Sequence, residues 1–349
     1  MQVLPLASMI KNYCSRWRRL SLRIPVEYYR AFIGGLTSAP FLEFLQLNPI
    51  MTNSNLLQPF HFPGAPRLTH LEVSNTSISR VHVRFDNLTF FKGDLLSSED
   101  IIRLLSSAKS LIRCEFSNVV GDILLAQNEE VLVHQSLKEL SIGPKGDAFG
   151  PQHDTFLEGV STPSLEKFTF DFASSIYCAV PVEHLLPFLT RSRCRHKRIS
   201  LLNYNERLYW PKEETIQLLE GLPTVESVTL STLQGGGTEI FSDLFLQRLA
   251  QDNLIPSTDV HLDVFLPRLQ VLSFSGSRSF NWGCLADTFE AVSNRRMRES
   301  VSPRQLELTL KEHQLLHLTS HGHCTSSNLI SFLTTIYSTI STIQLLYLA

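Results

Sequence analysis

Leu137-Lys138-Glu139-Leu140-Ser141-Ile142 reads LKELSI, and its order of apolar and polar positions returns along the whole chain. Upstream it reads WRRLSL (17–22), LEFLQL (42–47), LTHLEV (68–73), FDNLTF (85–90) and LIRCEF (111–116). Downstream it reads LEKFTF (165–170), HKRISL (196–201), VESVTL (225–230), LQVLSF (269–274) and QLELTL (305–310). Eleven copies provide 33 first, fourth and sixth positions; 31 of these are apolar, and only His196 and Gln305 depart. The other 33 positions hold four apolar residues, Phe44, Ile112, Val271 and Leu306. Alternation of this kind is the period-two signature of a strand with one buried and one open face.

The copies begin at 17, 42, 68, 85, 111, 137, 165, 196, 225, 269 and 305, with gaps of 25, 26, 17, 26, 26, 28, 31, 29, 44 and 36. The middle gaps match leucine-rich repeats, which run about 20–29 residues around an L-x-x-L-x-L strand. Helical patterns fill several gaps. Ser97-Ser98-Glu99-Asp100 is a capping box ahead of IIRLL, and PVEHLLPFLTRS (181–192) and KEETIQLLEGLP (212–223) place apolar residues at i, i+3 and i+4. The 17-residue gap is too short for a helix, and the asparagine that often follows such strands is missing from most copies. The expected fold is therefore α/β: an irregular leucine-rich-repeat solenoid with a curved parallel sheet and helices on the convex side. No single repeat buries its own apolar face, so the array stands or falls together. Residues 1–16 read as an N-terminal helical segment forming an incomplete cap, and 17–310 as the solenoid. An insertion at 233–265 contains the helix-like DLFLQRLAQ, and 311–349 reads as a C-terminal tail or capping helix.

Composition narrows the function. The chain has 349 residues, 43% of them hydrophobic, enough for a continuous core. Net charge is −2, from 31 basic and 33 acidic residues, so bulk electrostatics favours neither nucleic acid nor an anionic membrane. The six cysteines are scattered with no C-x-x-C pair, which argues for a reducing compartment, cytoplasmic or nuclear, and against a zinc knuckle. The N-terminus has no basic run before its short apolar stretch and makes a poor signal peptide. The uncharged stretch 324–349 could be read as a membrane span, but ten of its 26 residues are Ser or Thr. That composition favours a packed terminal helix.

Four stretches carry a resemblance: RWRRLSLRIP (16–25), APFLEFLQL (39–47), GAPRLTHLEV (64–73) and FLTRSRCRHKRISLL (188–202). They resemble the repeat region of the fungal F-box/leucine-rich-repeat family, over about Leu6 to Leu310. The resemblance implies a substrate adaptor of a cullin-RING (SCF-type) ubiquitin ligase, in which an F-box docks a Skp-type adaptor and the repeats capture the target. An F-box needs an L-P opening and several apolar helices ahead of the repeats. Here the first strand begins at Trp17, and Val3-Leu4-Pro5-Leu6 is no substitute. A Skp-type adaptor is thus expected as a partner only if an F-box lies upstream. The alternative is a stand-alone repeat protein without a ligase role.

Other chemistry is weighed against simpler readings. His313, His317, His321, His323 and Cys324 suggest metal ligands, but the order is H-Q-L-L-H, not H-E-x-x-H, and a solvated tail is expected. Arg191, Arg193, Arg195, Lys197 and Arg198 lie where a repeat helix ends, where cations complement the helix dipole. Gly235-Gly236-Gly237 lacks the Lys-Ser/Thr of a phosphate loop. Cys114 falls in an inward slot, where a thiol is a small apolar residue. No catalytic signature appears, so no enzyme activity, cofactor or metal is expected. The expected site is the open face of the strands: His70, Glu72, Arg113, Glu115, Lys138, Glu139, Glu166, Lys167, Lys197, Arg198 and Glu226. Both signs of charge occur there, which suits a protein target better than a polyanion.

Overall fold

The computed structural model describes residues 3–25, 28–33, 38–50, 59–62, 64–120, 131–144, 155–171, 182–192, 197–203, 212–232, 242–251, 265–275, 281, 283–285, 287–288, 306–311 and 343–347. The chain divides into two compact units, Met1–Glu166 with Pro187–Cys194, and Lys167–Leu186 with Arg195–Ala349. The fold is α/β, an irregular leucine-rich-repeat solenoid built of parallel strands joined by returns.

The first unit opens with α1 (Val3–Lys11), then β1 (Arg19–Leu22), the short helix α2 (Tyr29–Ile33) and β2 (Phe44–Leu47). Next come β3 (Phe60–His61), β4 (His70–Ser74), β5 (Val81–His82) and β6 (Phe90–Asp94). Helix α3 (Ser98–Ser107) leads to β7 (Arg113–Val119), followed by β8 (Leu132–Val133), β9 (Glu139–Pro144), α4 (Thr155–Glu158) and β10 (Val160–Ser161). The longer strands β1, β2, β4, β6, β7 and β9 lie side by side in chain order, all parallel. The two-residue strands pair among themselves in the returns, β3 with β5 and β8 with β10. In the second unit come β11 (Lys167–Asp171), β12 (Arg198–Asn203), α6 (Lys212–Glu220), β13 (Ser227–Thr232), α7 (Asp243–Gln251) and β14 (Val271–Ser275). Helix α5 (Val182–Arg191), between β11 and β12 in sequence, has its residues up to Leu186 in this unit and those from Pro187 in the first. β15 (Leu306–Lys311) and β16 (Ile343–Tyr347) follow. The strands β11 to β15 are again parallel and in chain order.

Packing follows the pattern that the sequence displays. The slots Leu45, Leu47, Leu71, Val73, Cys114, Phe116, Leu140 and Ile142 in the first unit are at most 3% exposed. In the second, Phe168, Phe170, Ile199, Leu201, Val228, Leu230, Leu272 and Phe274 are at most 4% exposed. Each such side chain contributes about 1.5–3 kcal/mol on burial, which one repeat alone could not realise.

Three expectations change. First, the copy read as FDNLTF is out of register by three. His70 pairs with Phe90 and Leu71 with Phe91, so the repeat is LTFFKG (88–93), and the gaps of 17 and 26 become 20 and 23. Leu88 and Phe91 are the buried pair, at 0% exposure, and Phe90 faces outward. Second, two-residue strands that pair with one another, β3 with β5 and β8 with β10, stand in the returns of the first unit beside its helices. The return from β4 to β6 holds a 3-10 turn (Ile78–Arg80) and β5 and no helix, as its short gap led us to expect. Third, Ile343–Tyr347, within the stretch expected as a tail or capping helix, is a strand antiparallel to β15. Its sequence IQLLY is uncharged and carries Ile and Tyr, which favour a pleated surface.

Candidate functional site

Inward positions of these strands are fixed by packing, so residue choice is free on the outward side. Parallel pairing in register turns those outward residues into rows. In the first unit one row runs Arg19, Phe44, His70, Phe90, Arg113, Glu139. The row two residues further on runs Ser21, Gln46, Glu72, Lys92, Glu115, Ser141.

The first row is a stack of planar groups. The Arg19 guanidinium carbon lies 4.6 Å from the Phe44 ring centroid, and that of Arg113 lies 5.4 Å from the Phe90 centroid. The His70 and Phe90 rings are 5.5 Å apart and tilted by 34°. Each cation meets a ring face from the neighbouring strand, which leaves ring edges and guanidinium edges toward solvent. Such contacts contribute about 0.5–1 kcal/mol each at exposed sites. Arg113 also pairs with Glu115 at 2.5 Å and Glu139 at 3.7 Å.

The second row is polar and linked. The Ser21 hydroxyl donates to Gln46 Oε1 at 2.6 Å, the Gln46 amide donates to Glu72 at 2.7 Å, and Lys92 lies 3.7 Å from Glu115. Exposed pairs of this kind contribute only about 0.2–1 kcal/mol. They orient the side chains without locking them away from a partner.

Of the residues expected in the first unit, His70, Glu72, Arg113, Glu115 and Glu139 fall in these two rows. Lys138 and Glu166 stand one position before their strands, joined through the backbone from Glu166 N–H to the Lys138 carbonyl at 2.9 Å. In the second unit Lys167 and Arg198 are register partners. Lys197 and Glu226 precede β12 and β13, with the Lys197 carbonyl accepting from Glu226 N–H at 3.0 Å. Sequence reasoning missed Arg19, Phe44, Gln46, Phe90 and Lys92. Phe44 stood out as an apolar residue in an open slot, a usable signal, whereas Phe90 was hidden by the misplaced register.

Buried polar groups here serve the scaffold. Burial pushes the Cys114 thiol well above its ordinary value, so it stays protonated within the core. The Arg191 guanidinium donates to the carbonyls of Leu157 and Val160, the latter at 3.0 Å. Arg193 and Arg195 of that basic run, the glycines 235–237 and the His313–Cys324 cluster lie outside the described residues. Among the described residues no group of three or more His, Cys, Asp or Glu is placed to hold a metal, and no helix is long and apolar enough to cross a membrane.

The sequence matches no protein-family model and no curated protein. Eight chains of solved structures match. One is the crystal structure of the TLR13–ssRNA13 complex, at 15% identity and a TM-score of 0.41, covering 73% of this chain and 37% of that one. The chain thus spans little more than a third of that neighbour's length.

Proposed function

We propose that this chain is a protein-binding leucine-rich-repeat module that acts by recognition and not by catalysis. The observation that supports this reading is the pair of outward rows on β1 to β9. They join cations, carboxylates and aromatic edges on one regular, partly exposed face, with each side chain positioned by its neighbours before any partner arrives. Arginine and aromatic side chains supply most binding hot spots, and pre-positioning lowers the entropy lost on association. The near balance of charge on the rows suits a protein surface with its own mixed charges. Partner capture by the intact chain tests this. Replacing His70 and Phe90 together by Ala should weaken capture by about tenfold or more, with the circular dichroism spectrum unchanged. Charge reversal at Lys138 in the first unit and at Lys167 and Lys197 in the second tests the other expected residues in the same assay. Full capture by both variants would remove the face from the function.

The resemblance of the repeats supports a finer reading: the recognition part of an F-box-type adaptor of an SCF ubiquitin ligase, working in the cytoplasm or nucleus. Affinity capture of the full-length gene product tests it. Recovery of a Skp-type adaptor supports the ligase role, and its absence leaves a stand-alone interaction protein.

A further inference from the structure

Among the described residues β1 is the end strand of its sheet, paired with β2 alone. In a parallel pair, the N–H and C=O of one residue point to one neighbour and those of the next residue point the other way. The Arg18 and Leu22 carbonyls accept from Phe44 N–H at 3.1 Å and Asn48 N–H at 2.9 Å, which puts residues 18, 20 and 22 on the β2 side. The backbone groups of Arg19 and Ser21 therefore face outward along the edge, and no backbone group among the described residues bonds to them there. Leu20 reports the same opening. It is half-buried, whereas its slot mates Leu45, Leu71 and Phe91 are 0% exposed.

The edge is also basic. Arg16, Arg18, Arg19 and Arg23 are all exposed, and none has a carboxylate partner among the described residues. We propose that this edge accepts, as an added strand, an acidic extended segment of a protein partner. Main-chain bonds to Arg19 and Ser21 would hold it, as in strand addition generally. Alternate Asp or Glu side chains would face the arginines, and an intervening apolar one would cover Leu20. Arginines on an edge deter pairing with a second copy, because β1 against β1 sets like charges opposite each other. The same charge selects an acidic strand. This site goes beyond the sheet face, since Arg16, Arg18 and Arg23 lie outside the two rows.

The test is fluorescence anisotropy of a labelled short peptide alternating Glu and Val, titrated with the full chain. Saturable binding is expected, weakened about tenfold or more by R18E/R23E, with no binding of the matching Lys/Val peptide. Ser21→Pro removes an N–H from the free edge while sparing the bonds to β2, and should abolish binding. N-methylating the peptide's edge-facing amides should do the same without touching the protein. The His70→Ala/Phe90→Ala variant should bind the peptide normally, which separates this site from the sheet face. No binding, equal binding of both peptides, tolerance of N-methylation, or self-association in place of binding would overturn the proposal.

Discussion

Asn75, Leu95 and Asn118 follow register-matched residues, Ser74, Asp94 and Ser117, and all three have positive φ, at 54°, 60° and 50°. The same left-handed step thus recurs in three successive repeats, just past β4 and β6 and near the end of β7, with Asn75 N–H bonding to the Asp94 carbonyl and Leu95 N–H to that of Ser117. Asparagine tolerates this region, and Asn118 gains a bond to Asp94 at 2.7 Å; leucine pays about 1–2 kcal/mol there. Leu95→Asn should therefore raise stability by about 1 kcal/mol, read as a higher urea midpoint at unchanged slope. A lower midpoint would mean that the Leu95 side chain packs better than its exposure suggests. His134 is a second residue with a positional role. Its ring Nε2–H donates to the Ala108 carbonyl at 3.0 Å and its main-chain N–H to the Ser161 carbonyl at 2.8 Å, linking three repeats. Burial, aided by the Lys109 charge, lowers its pKa from 6.5, so the unfolded chain binds the proton more tightly. The stability it confers is present above the unfolded value and is lost as pH falls through the folded one. The urea midpoint should drop as pH falls below about 6.5, and His134→Gln should flatten that drop while keeping a donor for Ala108.

At the scale of elements, α3 forms where its cap is written. The Ser97 hydroxyl accepts from Asp100 N–H at 3.1 Å, and the Asp100 carboxylate accepts from Ser97 N–H at 3.5 Å. The same carboxylate, 6% exposed, accepts the Ser77 hydroxyl at 2.6 Å, so the cap also fastens the preceding return. Asp100→Ala should cost about 1–3 kcal/mol, and Asp100→Asn less, by thermal or urea unfolding; equal cost would assign the effect to packing. This cap was legible in the sequence because it is local, as were the main strands, whose inward slots sort by polarity. The register of β6 was not. Phe85, Leu88, Phe90 and Phe91 fit two alignments, and the true one puts glycine in an inward slot. Space decides it: a Cβ on Gly93 would sit 2.3 Å from Leu96 Cδ1 and 2.7 Å from Phe91 Cε1, so the slot is already filled. The strands β3, β5, β8 and β10 hold two residues each, too few for any periodicity to show. Half of the candidate face was legible for the same reason as the strands, since His70, Glu72, Arg113, Glu115 and Glu139 occupy open slots. The stacking of Arg19 on Phe44 and of Arg113 on Phe90 depends on which strands become neighbours, and no single repeat encodes that.

For the molecule as a whole, the first unit offers a test of how a stacked array distributes stability. Leu20, Leu45 and Leu71 occupy the same slot of three adjacent strands, register partners in sequence, and differ only in their place in the stack. Leu45 and Leu71 have a strand on either side and are 0% exposed, whereas Leu20 has, among the described residues, β2 alone and is half-buried. In a nearest-neighbour array each substitution removes the residue's own burial and its contacts with the strands beside it. Leu45→Ala and Leu71→Ala should thus cost about 2–5 kcal/mol, the range for buried leucines. Leu20→Ala removes an incompletely covered side chain and should cost about 1 kcal/mol or less, since part of its surface already meets water. Denaturant unfolding of the three variants under one condition measures the series. Equal losses would show that β1 is covered as fully as the interior strands, which would contradict the open edge; a steep rise from Leu20 to Leu45 would confirm that stability in this unit builds inward from an uncovered end.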